Sequence, residues 1–348
     1  MRARIRLSLF AALILGAVAP CWSQGNPGLD TFFKDFAGLS QDQIREIEHG
    51  KTVAKIVETP GADEVFVFGG VYIESTPESY LKLASSIDEL RKLPGYLAIR
   101  KFSDPPQLSD LNDFSLDAED LKELRECKPD HCDLQLPVEA MEVFQRSVNW
   151  SAPDAGAQAN QLARQMALQA LLAYTRGGDA ALGTYRDKKN PAEVANTFQS
   201  LLSQAKALPV YLPEFNRYLL EYPQFTLANA DSQFYWEKVN FGLKPTLRIV
   251  QAIVYRGASP SEPAYTIAIK QLYSSHYFRA ALDLSVCVPD SSRSDARGFY
   301  LITLKGSEQA GLTGFKGGIV RHAAVGKTRS ALERHLATIK LQLEATPE

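Results

Sequence analysis

The hydrophobic pattern changes character twice along the chain. Between Lys51 and Ser75, "KTVAKIV" and "DEVFVFGGVYIES" are rich in β-branched and aromatic residues and are bridged by the turn-like "TPGAD". That composition predicts two strands. Before them, residues 25–50 read as polar and helical; "SQDQIREIEHG" opens at Ser40 with Gln43 three residues on, a capping-box signature, and stops at Gly50. After them, "TPESYLKLASSIDELRKL" predicts a helix with Thr76 as N-cap and Pro77 in its first position, and "YLAIRKFS" a strand that ends before Pro105 and Pro106.

From about residue 107 to 230 helical spacing takes over. "SLDAEDLKEL", "PVEAMEVFQRSV", "SAPDAGAQANQLARQMALQALLAYTRG", "NPAEVANTFQSLLSQAKAL" and "LPEFNRYLLEYP" all carry helix starts, and strand signals nearly vanish. No fixed period recurs, which argues against a solenoid. From residue 231 the strands return as "SQFYWEKVNFG", "TLRIVQAIVYRG", "AYTIAIKQLYSS", "YFRAALDLSVCV" and "GFYLITLKG". Their links contain Gly, Pro, Ser and Asp, the pattern of an antiparallel meander. Phe315, Ile319 and Ala323, then Leu332, Leu336, Ile339 and Leu343, recur at helical spacing and predict one long helix from Thr313 to Glu344.

This order resembles the helix-grip architecture of the START and polyketide-cyclase-like (SRPBCC) superfamily. The resemblance is carried by "VFVFGGVYIESTPESYLKLASSIDEL" at the front and "FYLITLKGSEQAGLTGFKGGIVRHAAVGKTRSALERHLATIK" at the back. It implies an α+β fold in which an antiparallel sheet wraps a long C-terminal helix. The two halves of that domain would be residues 25–106 and 231–348, and residues 107–230 an inserted all-helical subdomain. In the family an apolar cavity lies between sheet and helix. The resemblance therefore implies a carrier of a hydrophobic, lipid-like small molecule, with Tyr273, His276, Arg279, Tyr300 and Phe315 as ligand-binding candidates. A second expectation is an enzyme acting on a hydrophobic or polyketide-like substrate, with His276 and Glu237 as the groups to test. A third is an interaction protein whose helical insertion binds another envelope protein.

"AAVGKTRSAL" contains Gly326-Lys327-Thr328, the ending of a phosphate-binding loop. Such a loop needs a further glycine where Arg321 stands and a strand just before it. Both are missing, so the small residues read instead as the part of a helix that another surface approaches closely, with Lys327 and Arg329 solvated.

The chain starts with Arg2, Arg4 and Arg6 followed by a short apolar run and small residues, which predicts a secretory signal peptide over residues 1–24 and a secreted or periplasmic protein. Formal net charge is −2, and removing those arginines makes the remainder more acidic. No basic patch with interleaved aromatics stands out, so nucleic acid is not an expected partner. In an oxidising compartment, Cys127 and Cys132 in "ECKPDHCDLQLP" form a short-loop disulfide. A metal site from Cys127, Asp130, His131 and Cys132 would crowd its ligands, and no cofactor is called for. Cys287 reads as a buried free thiol. Neither G-x-S-x-G nor H-E-x-x-H occurs. The run "ALGTYRDKKNP" reads as a solvated loop before a helix capped by Asn190, with an anion site as the sharper alternative.

Overall fold

The computed structural model describes residues 27–59, 61, 63–92, 95–258, 263–290, 298–310, 312 and 314–345, and the side chains of all of these except 27, 314–320, 323 and 324. The expected leader lies outside them. The chain enters through α1 (Pro27–Thr31), a π-helical turn at Phe32–Phe36 and α2 (Gln41–Glu48). Next come β1 (Val53–Val57), β2 (Glu64–Ile73), α3 (Pro77–Ala84), α4 (Ile87–Lys92) and β3 (Tyr96–Lys101). A helical stretch holds α5 (Ala118–Glu126), α6 (Val138–Ser147), α7 (Ala155–Gly177), the short pair β4 (Thr184–Tyr185) and β5 (Ala192–Glu193), α8 (Val194–Gln204), α9 (Leu208–Tyr211) and α10 (Pro213–Glu221). Five strands, β6 (Ala230–Val239), β7 (Thr246–Arg256), β8 (Tyr265–Ser274), β9 (Phe278–Pro289) and β10 (Phe299–Gln309), lead to α11 (Gly314–Glu344).

The fold is α+β. One eight-stranded antiparallel sheet runs in the order β1-β2-β10-β9-β8-β7-β6-β3. The first long strand is thus zipped to the last, with Gly69 opposite Thr303, while β3 closes the far edge against β6, with Lys101 opposite Tyr235. All ten residues of β2 are buried, as expected of a strand covered on both faces.

The two faces bury different partners. On the front, Val65, Val67, Val71 and Ile73 of β2, with Phe299, Leu301 and Cys287, meet Val325, Leu332, Leu336, Ile339 and Leu343 of α11 and Tyr80 of α3. On the back, Phe68 and Tyr72 with Tyr300 and Ile302 receive Leu29, Phe32 and Phe33 from the N-terminal helices. Further along the back, Leu282, Leu284 and Ala268 are covered by Phe198 and Leu201 of α8 and Phe215 and Leu219 of α10. A Leu or Phe side chain fully buried in this way contributes about 1.5–3 kcal/mol.

Local signals hold where hydrogen bonds can be named. Ser40 and Gln43 form the reciprocal capping box of α2, and Thr76 accepts from the Ser79 amide at the start of α3. Two expectations change. Residues 27–37 are not merely polar, because Leu29, Phe32 and Phe33 are buried there. Asn190 and Pro191 do not start a helix: Ala192–Glu193 pairs with Thr184–Tyr185, and α8 begins at Val194. Of the small residues expected to let a surface approach α11, positions 317, 318, 323 and 324 lie outside the described side chains, and the approach that is described is made by a strand glycine. A Cβ on Gly69 would stand 2.7 Å from Leu336 Cδ1 and 2.9 Å from Leu332 Cδ2, whereas one on Gly326 would meet open space. Lys327 and Arg329 are exposed.

Candidate functional site

α7 is built from the best helix formers. Its Ala163, Ala167 and Ala170 recur at helical spacing, and they carry no bulk beyond a methyl group. Where this small-residue stripe faces β7 and β8, the helix and sheet do not close completely. A cavity of about 170 Å³ remains. Its floor is Leu247, Ile249, Leu272 and Tyr273, and its walls come from α6, α7 and the segments Leu134–Pro137 and Ala181–Tyr185. The cavity is on the back of the sheet, opposite α11.

A register irregularity shapes the floor. Ile249 pairs with Tyr273, but Val250 pairs with Gln271, so Leu272 is an extra residue in β8. A bulge of this kind re-aims side chains. Strict alternation would put Leu272 and Tyr273 on opposite faces, yet both line the cavity.

Polar interactions hold the walls in place. At the C-terminal end of α7, Tyr174 donates to Gln251 Oε1 at 2.6 Å. Lys270, 1% exposed, donates to Asp179 at 2.5 Å and to the Leu219 carbonyl at 3.0 Å, with the Phe198 ring centroid 3.9 Å away. Burial pushes the Lys270 ammonium down and the Asp179 carboxyl up. Gly178, at φ +61°, makes the turn after α7; a Cβ there would lie 1.8 Å from the Tyr222 carbonyl oxygen. At the other end of α7, Arg164 donates to the Phe114 carbonyl and Asn160 accepts from the Leu116 amide.

The disulfide Cys127–Cys132 forms and staples the adjoining wall. The charged run clamps that staple. Asp130 and Cys132 amides donate to the carbonyls of Arg186 and Asp187, the Arg186 amide donates to Leu136, and Arg186 and Lys188 pair with Asp130 and Asp133. Arg186 and Lys188 are thus engaged with acidic side chains of the stapled loop. Among the described residues no group of His, Cys, Asp and Glu is placed to hold a metal ion.

The sequence candidates disperse. Tyr273 lines the cavity. His276 sits in the β8–β9 turn, 3% exposed, with Nδ1 2.9 Å from the Asp133 carbonyl and Nε2 3.2 Å from Asp120 Oδ1; it fastens α5 to the sheet. Lys244 reaches the same Asp120 carboxylate at 3.5 Å. Arg279 pairs with Glu308 and Asp63. Tyr300 packs against Tyr72 and Phe33 in the N-terminal core. The side chain of Phe315 lies outside those described. Glu237 is buried on the front face and bound to Arg248 at 3.0 Å; burial raises its carboxyl and Arg248 opposes the rise. Cys287 is a buried free thiol. The alanine stripe of α7 escaped notice in the sequence, where its only signal was spacing.

The cavity is chemically plain. Among the described residues, its lining contains no charged side chain, histidine, serine or cysteine; the side chains with a polar group are those of Tyr174, Tyr185 and Tyr273. Tyr174 is committed to Gln251, and Tyr185 accepts from the Ser274 amide. Burial raises all three phenols, so each is neutral at ordinary pH. Ala170 and Gly183 are exposed members of the lining and mark the mouth; a Cβ on Gly183 would stand 3.3 Å from Pro137 Cγ. No helix among the described residues is long and apolar enough to cross a membrane. Comparison with protein-family models and with curated proteins finds no match.

Proposed function

We propose that the protein binds a hydrophobic small molecule in the cavity between α7 and strands β7 and β8. The observation that carries this is a predominantly apolar space walled by fixed elements, with three tyrosines as its only polar side chains among the described residues. Burying a ligand there would contribute about 0.8 kcal/mol per methylene removed from water. A lining without acid, base or nucleophile other than neutral phenols favours binding over turnover. Both groups named for an enzyme, His276 and Glu237, are engaged with protein partners away from the lining.

The same proposal includes the helix-grip relationship. It is supported by the pairing of β2 with β10, by the uninterrupted meander β6 to β10, and by α11 lying against β2. The ligand seat differs from the one the resemblance implies, since the helical insertion and not the C-terminal helix roofs it. A secreted or periplasmic location fits the disulfide.

Filling the cavity tests the binding function. Ala167→Leu should keep a cooperative melt while abolishing recovery of apolar molecules, by solvent extraction and mass spectrometry, and abolishing their thermal stabilisation of the protein. Equal recovery and equal stabilisation in the filled variant and the parent would defeat the proposal.

A further inference from the structure

We infer that the ligand is a compact, uncharged, ring-sized molecule carrying one hydrogen-bonding group, and that the Tyr273 hydroxyl holds that group; this rests on the cavity being a binding site. Size comes first. The space is about 170 Å³. An engineered cavity of about 150 Å³ lined by Leu, Ile and Phe takes benzene, and drug-sized ligands occupy about 300–1,000 Å³. A diacyl lipid would not fit, so the lipid-like ligand implied by the family resemblance is narrowed to something far smaller.

Charge comes second. Among the described residues the lining offers no cation to a carboxylate or phosphate and no carboxylate to an amine. An ionised group buried there without a partner would be expelled or neutralised. Shape comes third. Phe114, Phe144, Tyr174, Tyr185 and Tyr273 all contribute to the lining, which suits edge-to-face and offset contact with a flat ring.

The polar anchor follows from elimination. Tyr174 already donates to Gln251 and Tyr185 already accepts from the Ser274 amide, so each has one of its two roles taken. Tyr273 has its ring held edge-on by Tyr185, 6.3 Å between centroids at 75°. Among the described residues its hydroxyl makes no hydrogen bond. The residue is partly accessible and is one of the side chains that line the cavity. A phenolic hydroxyl both donates and accepts, so it can meet a ring hydroxyl, carbonyl or N–H.

The test uses the full protein with toluene, p-cresol, indole, decanoate and a lysophosphatidylcholine, read by calorimetry and by thermal shift. Expected is binding of p-cresol and indole, loss of both in Ala167→Leu or, should that variant melt without cooperativity, in Ala170→Leu. Tyr273→Phe should weaken p-cresol about tenfold and leave toluene unchanged. Equal loss of toluene and p-cresol in Tyr273→Phe would overturn the anchor. Binding of decanoate or the lysolipid but of no ring, abolished by the filled variant, would overturn the ligand class while leaving the cavity a binding site. No probe binding to the parent, with nothing apolar recovered from it, would overturn both.

Discussion

At the scale of single residues, the buried charges decide most. Lys270 and Asp179 are paired in the interior, where each alone would be strongly disfavoured. Lys270→Met should destabilise the protein by about 3–5 kcal/mol in urea unfolding, because Asp179 is left buried without its cation. Lys270→Met combined with Asp179→Leu should recover most of that loss, and a double mutant as unstable as the single would show that the pair is not the cause. His335, on α11, behaves differently. Burial, helped by Lys305 and opposed by Asp283, depresses its imidazole to about 4 from 6.5. A depressed folded value means that the unfolded chain takes up the proton first. The contribution of His335 is therefore complete above pH 6.5 and is lost as pH falls toward 4, by at most about 3 kcal/mol. His335→Gln should flatten the stability profile across that window, and an unchanged slope in urea midpoints would refute the assignment.

At the scale of elements, the disulfide and the segment that clamps it adjoin one wall of the cavity. A loop this short contributes about 2 kcal/mol in the chain-entropy model. Replacing Cys127 and Cys132 by Ser should lower stability by that order and speed amide exchange at Asp130, Cys132 and Arg186, whose N–H groups tie the two segments together. Protection in the β2–β10 ladder should hardly change locally, since the bonds that clamp the staple run to Arg186 and Asp187, outside that ladder. Strands and helices were largely legible: β6 to β10 appear as separate apolar runs, and α11 shows its leucine spacing. The cavity was not. It needs the alanines of α7 to meet β7 and β8 across a long stretch of chain, and it needs the extra residue in β8 that turns Leu272 and Tyr273 to one face. Period-two alternation cannot anticipate a bulge. Lys270 was equally hidden, because nothing near it in sequence announces Asp179.

At the scale of the whole molecule, ligand binding should appear as stability. A molecule present at a hundred times its dissociation constant adds about 2.7 kcal/mol to unfolding if it binds only the folded chain. In a melt followed by both helix and sheet signals, p-cresol should raise the two transitions together, since the cavity is shared between α7 and the sheet. A shift in the helical signal alone would place the ligand elsewhere. The route of the chain has a further consequence. It leaves the sheet after Lys101 and is back in it from Ala230, and the Phe102 amide donates to the Phe234 carbonyl at 2.9 Å. An excursion of about 130 residues thus begins and ends at a single rung of the ladder. The logarithmic part of closing so long a loop is only about 4 kcal/mol. Two adjacent strands joined by a tight turn would satisfy the same rung. The helical stretch is thus joined to the sheet at one rung but seated on it at many places, α8 and α10 covering Ala268, Leu282 and Leu284 and His276 fastening α5, so that cutting it out would leave the ladder's register intact and strip the back of the sheet.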